Sequence, residues 1–183
     1  MSSDLFFASS NKHKYYEAKQ ILATFGIKLK FFKFDPIEIQ SESISEIAHK
    51  KALDAYKKAK RPLIVEDVGL FIERLGGFPG PYSSYVYKTI GNIGVSLLAK
   101  GGRAKFLSVV ALYDGKRMRL FEGIVHGHIA KKPKGNGWGY DPIFIPDGKK
   151  QTYAQIGDKN LLSHRFLALQ NMARFYMRQS SAQ

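Results

Sequence analysis

A polar, basic segment near the N-terminus has the residue types that bind phosphate, and it consists of Ser9, Ser10, Asn11, Lys12, His13 and Lys14. It joins a predicted strand, Leu5–Ser9, to a predicted helix. A turn of this kind presents unpaired backbone N–H groups and the positive end of the helix dipole, which stabilise an anion. Ser10 or Asn11 could cap the helix. The alternative interpretation is an ordinary capped helix with two solvated lysines.

Two adjacent carboxylates, Glu66 and Asp67, follow the apolar run 63–65 and are predicted to lie at the C-terminal end of a short strand. Ligands of open α/β sheets gather at such ends. Successive strand side chains point to opposite faces, so the two acids are not expected to face one site together. One of them could bind Mg²⁺ or a water molecule, and Glu38 could supply a second metal ligand. Exposed loop acids are the alternative.

Lys51 falls on the apolar stripe of a predicted helix, seven residues after Ile44 and four before Ala55, whereas Lys50 falls off that stripe. A lysine on an inward face needs a partner or a cleft. A lysine that extends along the edge of the stripe into water is the alternative.

Two segments in the C-terminal half could contact a nucleobase. The first is rich in glycine and contains Trp138, Gly139, Tyr140 and Asp141. Its aromatic faces could stack on a base, although an aromatic turn packed on the core is the alternative. The second segment runs from Lys159 to Arg165 and contains His164. Cations in the first turn of a helix oppose the dipole, which suggests a function, although a surface His-Arg pair is common.

The elements that must position these residues alternate between strand and helix along the 183 residues, which predicts a single α/β domain. Two long strands, about 105–113 and 118–129, are joined by a tight turn at Asp114-Gly115, so we expect a mixed sheet.

Cysteine is absent, which excludes thiolate chemistry. The chain has no apolar run long enough to cross a membrane and no signal-peptide pattern, so a cytoplasmic location is expected.

Five motifs in this order resemble the inosine triphosphate pyrophosphatase family, also called XTP/dITP diphosphatases. They are Ser-Ser-Asn-x-x-Lys, Glu-Asp-x-Gly-Leu, Gly-Gly-Phe-Pro-Gly-Pro-Tyr-Ser, Trp-Gly-Tyr-Asp-Pro-Ile-Phe and Ser-His-Arg. The resemblance implies an elongated, mixed and twisted β-sheet flanked by helices, with two lobes around a central nucleotide cleft. It also implies a homodimer.

The resemblance further implies Mg²⁺-dependent hydrolysis of ITP, dITP and XTP to the nucleoside monophosphate and pyrophosphate. It assigns Glu38 and Asp67 to Mg²⁺, and Asp67 also to the attacking water. The other contacts that it implies are residues 9–14 and Lys51 for the phosphates, Val68 through its backbone, Trp138, Gly139, Tyr140 and Asp141 for base and sugar, and Lys159, His164 and Arg165 for the purine edge.

Two rival functions stay open, and the formal net charge of +14 supports the first of them. A basic nucleic-acid-binding protein would interleave aromatic and basic residues on one surface. The informative residues cluster instead at glycine-rich turns and at the acidic pair, so a stable nucleic-acid partner is not expected. The nearer rival is a pyrophosphatase for other modified nucleotides.

Overall fold

The structure is a computed structural model that describes residues 4–37, 39–157 and 161–180, with the backbone alone at 179 and 180. Its strands are β1 Leu5–Ser9, β2 Leu29–Lys33, β3 Leu63–Ile72, β4 Pro79–Gly80, β5 Arg103–Tyr113, β6 Met118–Ile129 and β7 Phe144–Pro146. Its α-helices are α1 Lys12–Ala23, α2 Ile44–Ala59, α3 Ser83–Thr89, α4 Gly91–Ala99 and α5 His164–Ser180. Single 3₁₀ turns occur at Glu73–Leu75 and Tyr153–Gln155.

The strands form a seven-stranded sheet in the order β2-β1-β3-β5-β6-β7, with β4 beside β3. The strand β1 pairs in parallel with β2 and β3, whereas the pairs β3–β4 and β6–β7 are antiparallel. The predicted mixed sheet with flanking helices is therefore confirmed. The connection between β5 and β6 covers residues 114–117, as the predicted strand bounds require, and Asp114 Oδ1 accepts hydrogen bonds there from the backbone N–H groups of Lys116 and Arg117.

The strand β3 is also longer than the sequence predicted. The apolar run 63–65 was expected to end before the acidic pair, but the strand continues to Ile72. The prediction that Glu66 and Asp67 follow the strand is therefore wrong, since both lie within it. Parallel pairing with β1 is recorded at Phe6↔Leu63 and Phe7↔Ile64, so the acids come just after this paired section.

The chain forms two compact units. Unit 1 draws on Met1–Asp67, Ser108–Gly123 and His164–Gln183, and unit 2 on Val68–Leu107 and Ile124–Ser163. The division falls inside β3, β5 and β6. The expected single domain over residues 1–183 therefore stays a prediction.

Each unit has its own hydrophobic core. In unit 1 the buried faces of α1 and α5 pack with β1, and its core includes Phe7, Leu22 and Leu169. In unit 2 the core includes Leu70, Phe144 and Tyr153.

None of the helices in the described ranges is long and apolar enough to cross a membrane. The cytoplasmic location stays a prediction.

A side-chain cap sets the start of helix α2, and a left-handed residue sets its end. Ser43 accepts a hydrogen bond from the Glu46 N–H and caps the start. Lys60, in the left-handed conformation with φ 51°, ends the helix. The buried stripe between them contains Ile44, Ile47, Ala48, Ala52 and Ala55, which confirms the predicted periodicity and fixes the direction in which Lys51 points.

Candidate active site

The polar segment after β1 forms a capped helix start in unit 1. Asn11 is the cap, because its Oδ1 accepts hydrogen bonds from the N–H groups of His13 and Lys14, at 2.9 and 3.3 Å. Ser9 Oγ accepts a hydrogen bond from the Asn11 N–H at 3.0 Å and closes the turn. The first turn of α1 contains no acid and carries three basic side chains, counting Lys12. Such a turn lowers the energy of a bound anion.

A buried carboxylate lies behind this helix start. Glu66 Oε1 accepts hydrogen bonds from Arg165 Nε and Ser108 Oγ, both at 2.8 Å. Its Oε2 lies 3.5 Å from Lys14 Nζ. Arg165 also forms an ion pair with Glu17, which lies 3.1 Å from the His13 ring. The cluster thereby links α1, β3, β5 and α5 within unit 1.

The charges in this cluster determine its protonation. Burial alone raises the pKa of the Glu66 carboxyl, but the positive charges of Arg165 and Lys14 outweigh burial, and the pKa falls from 4.5 to about 2. Burial alone would lower the pKa of Arg165, but Glu66 and Glu17 raise it instead. The buried pair is therefore ionised on both sides at neutral pH.

Asp67 faces a different partner. Its Oδ2 lies 2.7 Å from Lys51 Nζ, and the two side chains are 15% and 11% exposed. Lys50 instead pairs with Asp54 along the outer side of α2, at 2.8 Å. The periodicity argument for Lys51 over Lys50 thus agrees with the structure, and the inward lysine has the acidic partner that its position requires.

Several of the predicted site residues belong to unit 1. These are residues 9–14, Lys51, Asp67, His164 and Arg165. His164 and Arg165 are both buried, so the alternative of a surface His-Arg pair is wrong. Glu17 and Glu66 balance the guanidinium charge at the start of α5. The predicted contacts of Glu38 and Lys159 lie outside the described residues.

The remaining predicted site residues belong to unit 2. Val68 packs against the core of that unit. Trp138 is 44% exposed, whereas Tyr140 is 6% exposed and lies in the core. The Tyr140 ring meets Tyr87 edge-on at 5.5 Å between ring centroids, and burial raises its pKa. Trp138 is therefore the more exposed aromatic side chain of this segment, and the base contacts predicted for both Trp138 and Tyr140 stay predictions.

Sequence reasoning missed two members of the unit 1 cluster. Glu17 lies four residues before the buried Ile21, so helical periodicity places it on the inward face of α1. Ser108 interrupts an otherwise apolar stretch of β5. A polar side chain at a buried position needs a partner, and that rule could have indicated both residues.

The donor set limits the kind of metal ion that unit 1 could bind. Within the described part of the chain, no group of three or more His, Cys, Asp or Glu side chains could hold a metal ion. Both oxygens of Glu66 already face cationic or hydroxyl partners. Asp67 retains partial exposure and offers hard oxygen atoms. It fits Mg²⁺, which takes one or two protein carboxylates and completes its shell with water and phosphate.

The fold and this cluster define an α/β protein with a cationic helix start and a part-buried Asp–Lys pair in one compact unit. The chain belongs to the Ham1 family, whose model matches residues 5–175. A protein of Korarchaeum cryptofilum named "dITP/XTP pyrophosphatase" is 48% identical over 178 residues, which cover 95% of this chain and 96% of the relative. A protein of Methanopyrus kandleri with the same name is 48% identical over 179 residues, covering 94% and 95%.

A solved structure supports the same assignment. A HAM1 protein from Coxiella burnetii superposes with a TM-score of 0.85 at 29% identity, and the match covers 96% of this chain and 99% of that one. The family resemblance and the fold class inferred from the sequence are therefore confirmed.

The ionised state of Glu66 predicts a specific pH dependence of stability. Its pKa is lowered in the folded state, so its contribution is present above pH 4.5 and is lost as the pH falls toward about 2. In Glu66→Gln the loss of one buried partner is expected to cost about 3 kcal/mol at neutral pH. Urea unfolding from pH 7 to pH 2 should show that this difference shrinks with acid. A constant difference across that window would contradict the predicted ionisation.

Proposed function

We propose that this protein hydrolyses non-standard purine nucleoside triphosphates, such as ITP, dITP and XTP, to the nucleoside monophosphate and pyrophosphate. The observation that carries the proposal is the part-buried Lys51–Asp67 pair, which shares unit 1 with the cationic start of α1. The names of the relatives supply the substrate class.

The proposed reaction is an in-line attack of water on the α-phosphorus. A bond forms from the water oxygen to phosphorus as the bond to the bridging oxygen breaks, and pyrophosphate leaves. Asp67 orients the water and accepts its proton, while Lys51 stabilises the charge on the phosphate oxygens. Chemistry of this kind depends mainly on positioning and on neutralisation of charge. The side chains in the first turn of α1 stabilise the rest of the triphosphate.

We further propose that the activity depends on Mg²⁺, held by Asp67 together with Glu38. The ion would neutralise phosphate charge and lower the pKa of a bound water. The partial exposure of Asp67 supports this assignment, and the complete burial of the Glu66 side chain beside Arg165 and Lys14 argues against Glu66 as a ligand.

Selection of a 6-oxo purine follows from donors that face O6. Adenine presents an amino group at that position, so buried donors would lose their acceptor and the wrong base would bind poorly. The predicted donors are Lys159, His164 and Arg165. Arg165 already donates hydrogen bonds to the carboxylates of Glu66 and Glu17. A contact with the purine would therefore use the remaining N–H groups of its guanidinium.

We also propose that the chain works as a homodimer that meets through α3 and α4 of unit 2. Three side chains there are each about two-thirds exposed: Tyr85 69%, Ile93 67% and Leu97 67%. Lys88 is the only charged residue between Tyr82 and Ala99. Interface cores are depleted of charge and rich in aromatic residues. Because copies with a net charge of +14 repel each other, the face with least charge is the one on which a second copy is expected.

A substrate panel tests the activity. With Mg²⁺ present, ITP, dITP and XTP should each give the monophosphate and pyrophosphate much faster than ATP and dUTP, and chelation of the metal should abolish turnover. Release of orthophosphate would sink the proposed bond cleavage. Equal rates for ITP and ATP would remove the purine selectivity.

The role of Asp67 is tested by substitution. Asp67→Asn should fold normally and lose nearly all turnover, at least about 1,000-fold in kcat, because the water loses its proton acceptor. The matched control is Asp54→Asn, which alters an acid on the outer side of α2 and should leave kcat unchanged. A similar kcat for both variants would exclude Asp67 from the chemistry.

The proposed interface is tested by the mass of the particle in solution. Light scattering after gel filtration should give twice the chain mass for the wild-type protein and the chain mass for Leu97→Lys, because a buried lysine opposes association. Leu120→Lys introduces the same charge at an exposed apolar position of unit 1 and should remain dimeric. A monomeric wild-type protein at micromolar concentration contradicts the proposal.

A further inference from the structure

The aromatic segment of unit 2 is attached to α4 by a side chain that no sequence motif pointed to. Asn92, in the first turn of α4, donates a hydrogen bond from Nδ2 to the Gly139 carbonyl oxygen at 3.0 Å. We propose that Asn92 is a positioning residue, which holds the segment 138–140 and thereby sets how Trp138 receives a nucleobase. The nucleobase part of this inference rests on the proposed function.

The backbone hydrogen bonds of the segment are made at its two ends, where the Tyr140 carbonyl accepts from the N–H groups of Ile143 and Phe144 at 3.0 and 3.1 Å, so the anchor at Gly139 comes from a side chain. Residues 138–140 form a turn, closed by a hydrogen bond from the Asp141 N–H to the Trp138 carbonyl at 3.2 Å. Gly139 has a positive φ of 60°, and a Cβ built there would meet no atom within 4 Å. Its backbone therefore borders open space on one side, and the Asn92 contact restrains it there.

Side-chain hydrogen bonds to two helices, α3 and α4, hold the segment in place. On one side of Gly139, the Tyr140 hydroxyl donates to the Ser83 carbonyl at 2.8 Å in a buried contact, which fixes the segment to α3. Ser83 is itself fixed, since its Oγ donates to the Gly80 carbonyl and accepts from the Leu70 N–H. Asn92 adds the second anchor from α4. Trp138 directly precedes the Gly139–Tyr140 peptide that both anchors restrain, and it remains part-exposed.

The chemistry of the Asn92 amide makes the contact specific. A carbonyl oxygen only accepts, so the amide must present its NH₂ group to Gly139. The Asn92 Oδ1 is buried and has no hydrogen-bond partner among the residues that the structure describes. The orientation of the amide is therefore set by the Gly139 contact. A side chain of the same shape without the donor would repel the carbonyl oxygen.

Asn92→Asp is the sharpest test of this role. It keeps the shape, removes both N–H donors and places negative charge against the Gly139 oxygen. A carboxylate in the first turn of α4 is favourable to the helix dipole, so the helix itself should persist. The matched control is Asn171→Asp, because the Asn171 Nδ2 donates to the Glu122 carbonyl at the same 3.0 Å in unit 1. If Asn92→Asp does not fold, Asn92→Ala removes the donor without adding charge.

Trp138 is the only tryptophan of the chain, so its fluorescence reports the segment directly. We expect a red-shifted emission and stronger quenching by acrylamide in Asn92→Asp, and neither change in Asn171→Asp. In kinetics, the ratio of kcat/KM for ITP to that for ATP should fall about tenfold in Asn92→Asp alone.

The outcomes separate this inference from the proposed function. Unchanged fluorescence in Asn92→Asp would overturn the positioning role whatever the activity. Changed fluorescence with an unchanged ratio would overturn the link to base selection. A wild-type protein that hydrolyses no purine triphosphate would refute the proposed function and the link to base selection, while the fluorescence comparison would still decide whether Asn92 holds the segment.

Discussion

The ionised carboxylate of Glu66, with none of its side chain exposed, is the constraint on which the rest of unit 1 depends. An isolated charge at that depth would cost several kcal/mol, so it is tolerable only with its partners in place. Those partners are Lys14 from α1, Ser108 from β5 and Arg165 from α5. Segments that are distant in sequence must therefore assemble together before this charge can be buried, which couples the capped start of α1 to the packing of the unit.

The same strand register gives Asp67 its different environment. Neighbouring residues of β3 point to opposite faces, so burial of Glu66 against α1 and α5 directs Asp67 toward Lys51 on α2. A slip of one residue would exchange the two carboxylates and expose the structural one. The separation of the buried Glu66 from Asp67, the acid proposed to act on the substrate, thus follows from strand geometry, and the two side chains need no difference in chemistry.

Local patterns predicted most of the elements, but they could not predict contacts made across the chain. The helical stripe of α2 indicated Lys51 correctly, because 3.6-residue periodicity is contained in one segment. The N-cap of α1 was predicted to be Ser10 or Asn11, because capping also depends on neighbouring residues, and the structure shows that it is Asn11. The predicted length of β3 was too short, because Glu66 and Asp67 within the strand are stabilised by partners that lie elsewhere in the sequence. Periodicity could have placed Glu17 on the inward face of α1, but its partner Arg165 is far away in sequence and is not contained in any local pattern.

The lysines of unit 1 show what the buried acids contribute to binding. Lys51 is held beside Asp67, and Lys14 is held 3.5 Å from Glu66, which is close enough for strong attraction but longer than a hydrogen bond. Both long side chains are thus ordered before any anion arrives, so less conformational entropy is lost on binding. In the proposed reaction, a triphosphate would approach ammonium groups whose positions are already fixed by carboxylates. The acids that neutralise these lysines in the folded protein would then also prepare them for the proposed contact with phosphate.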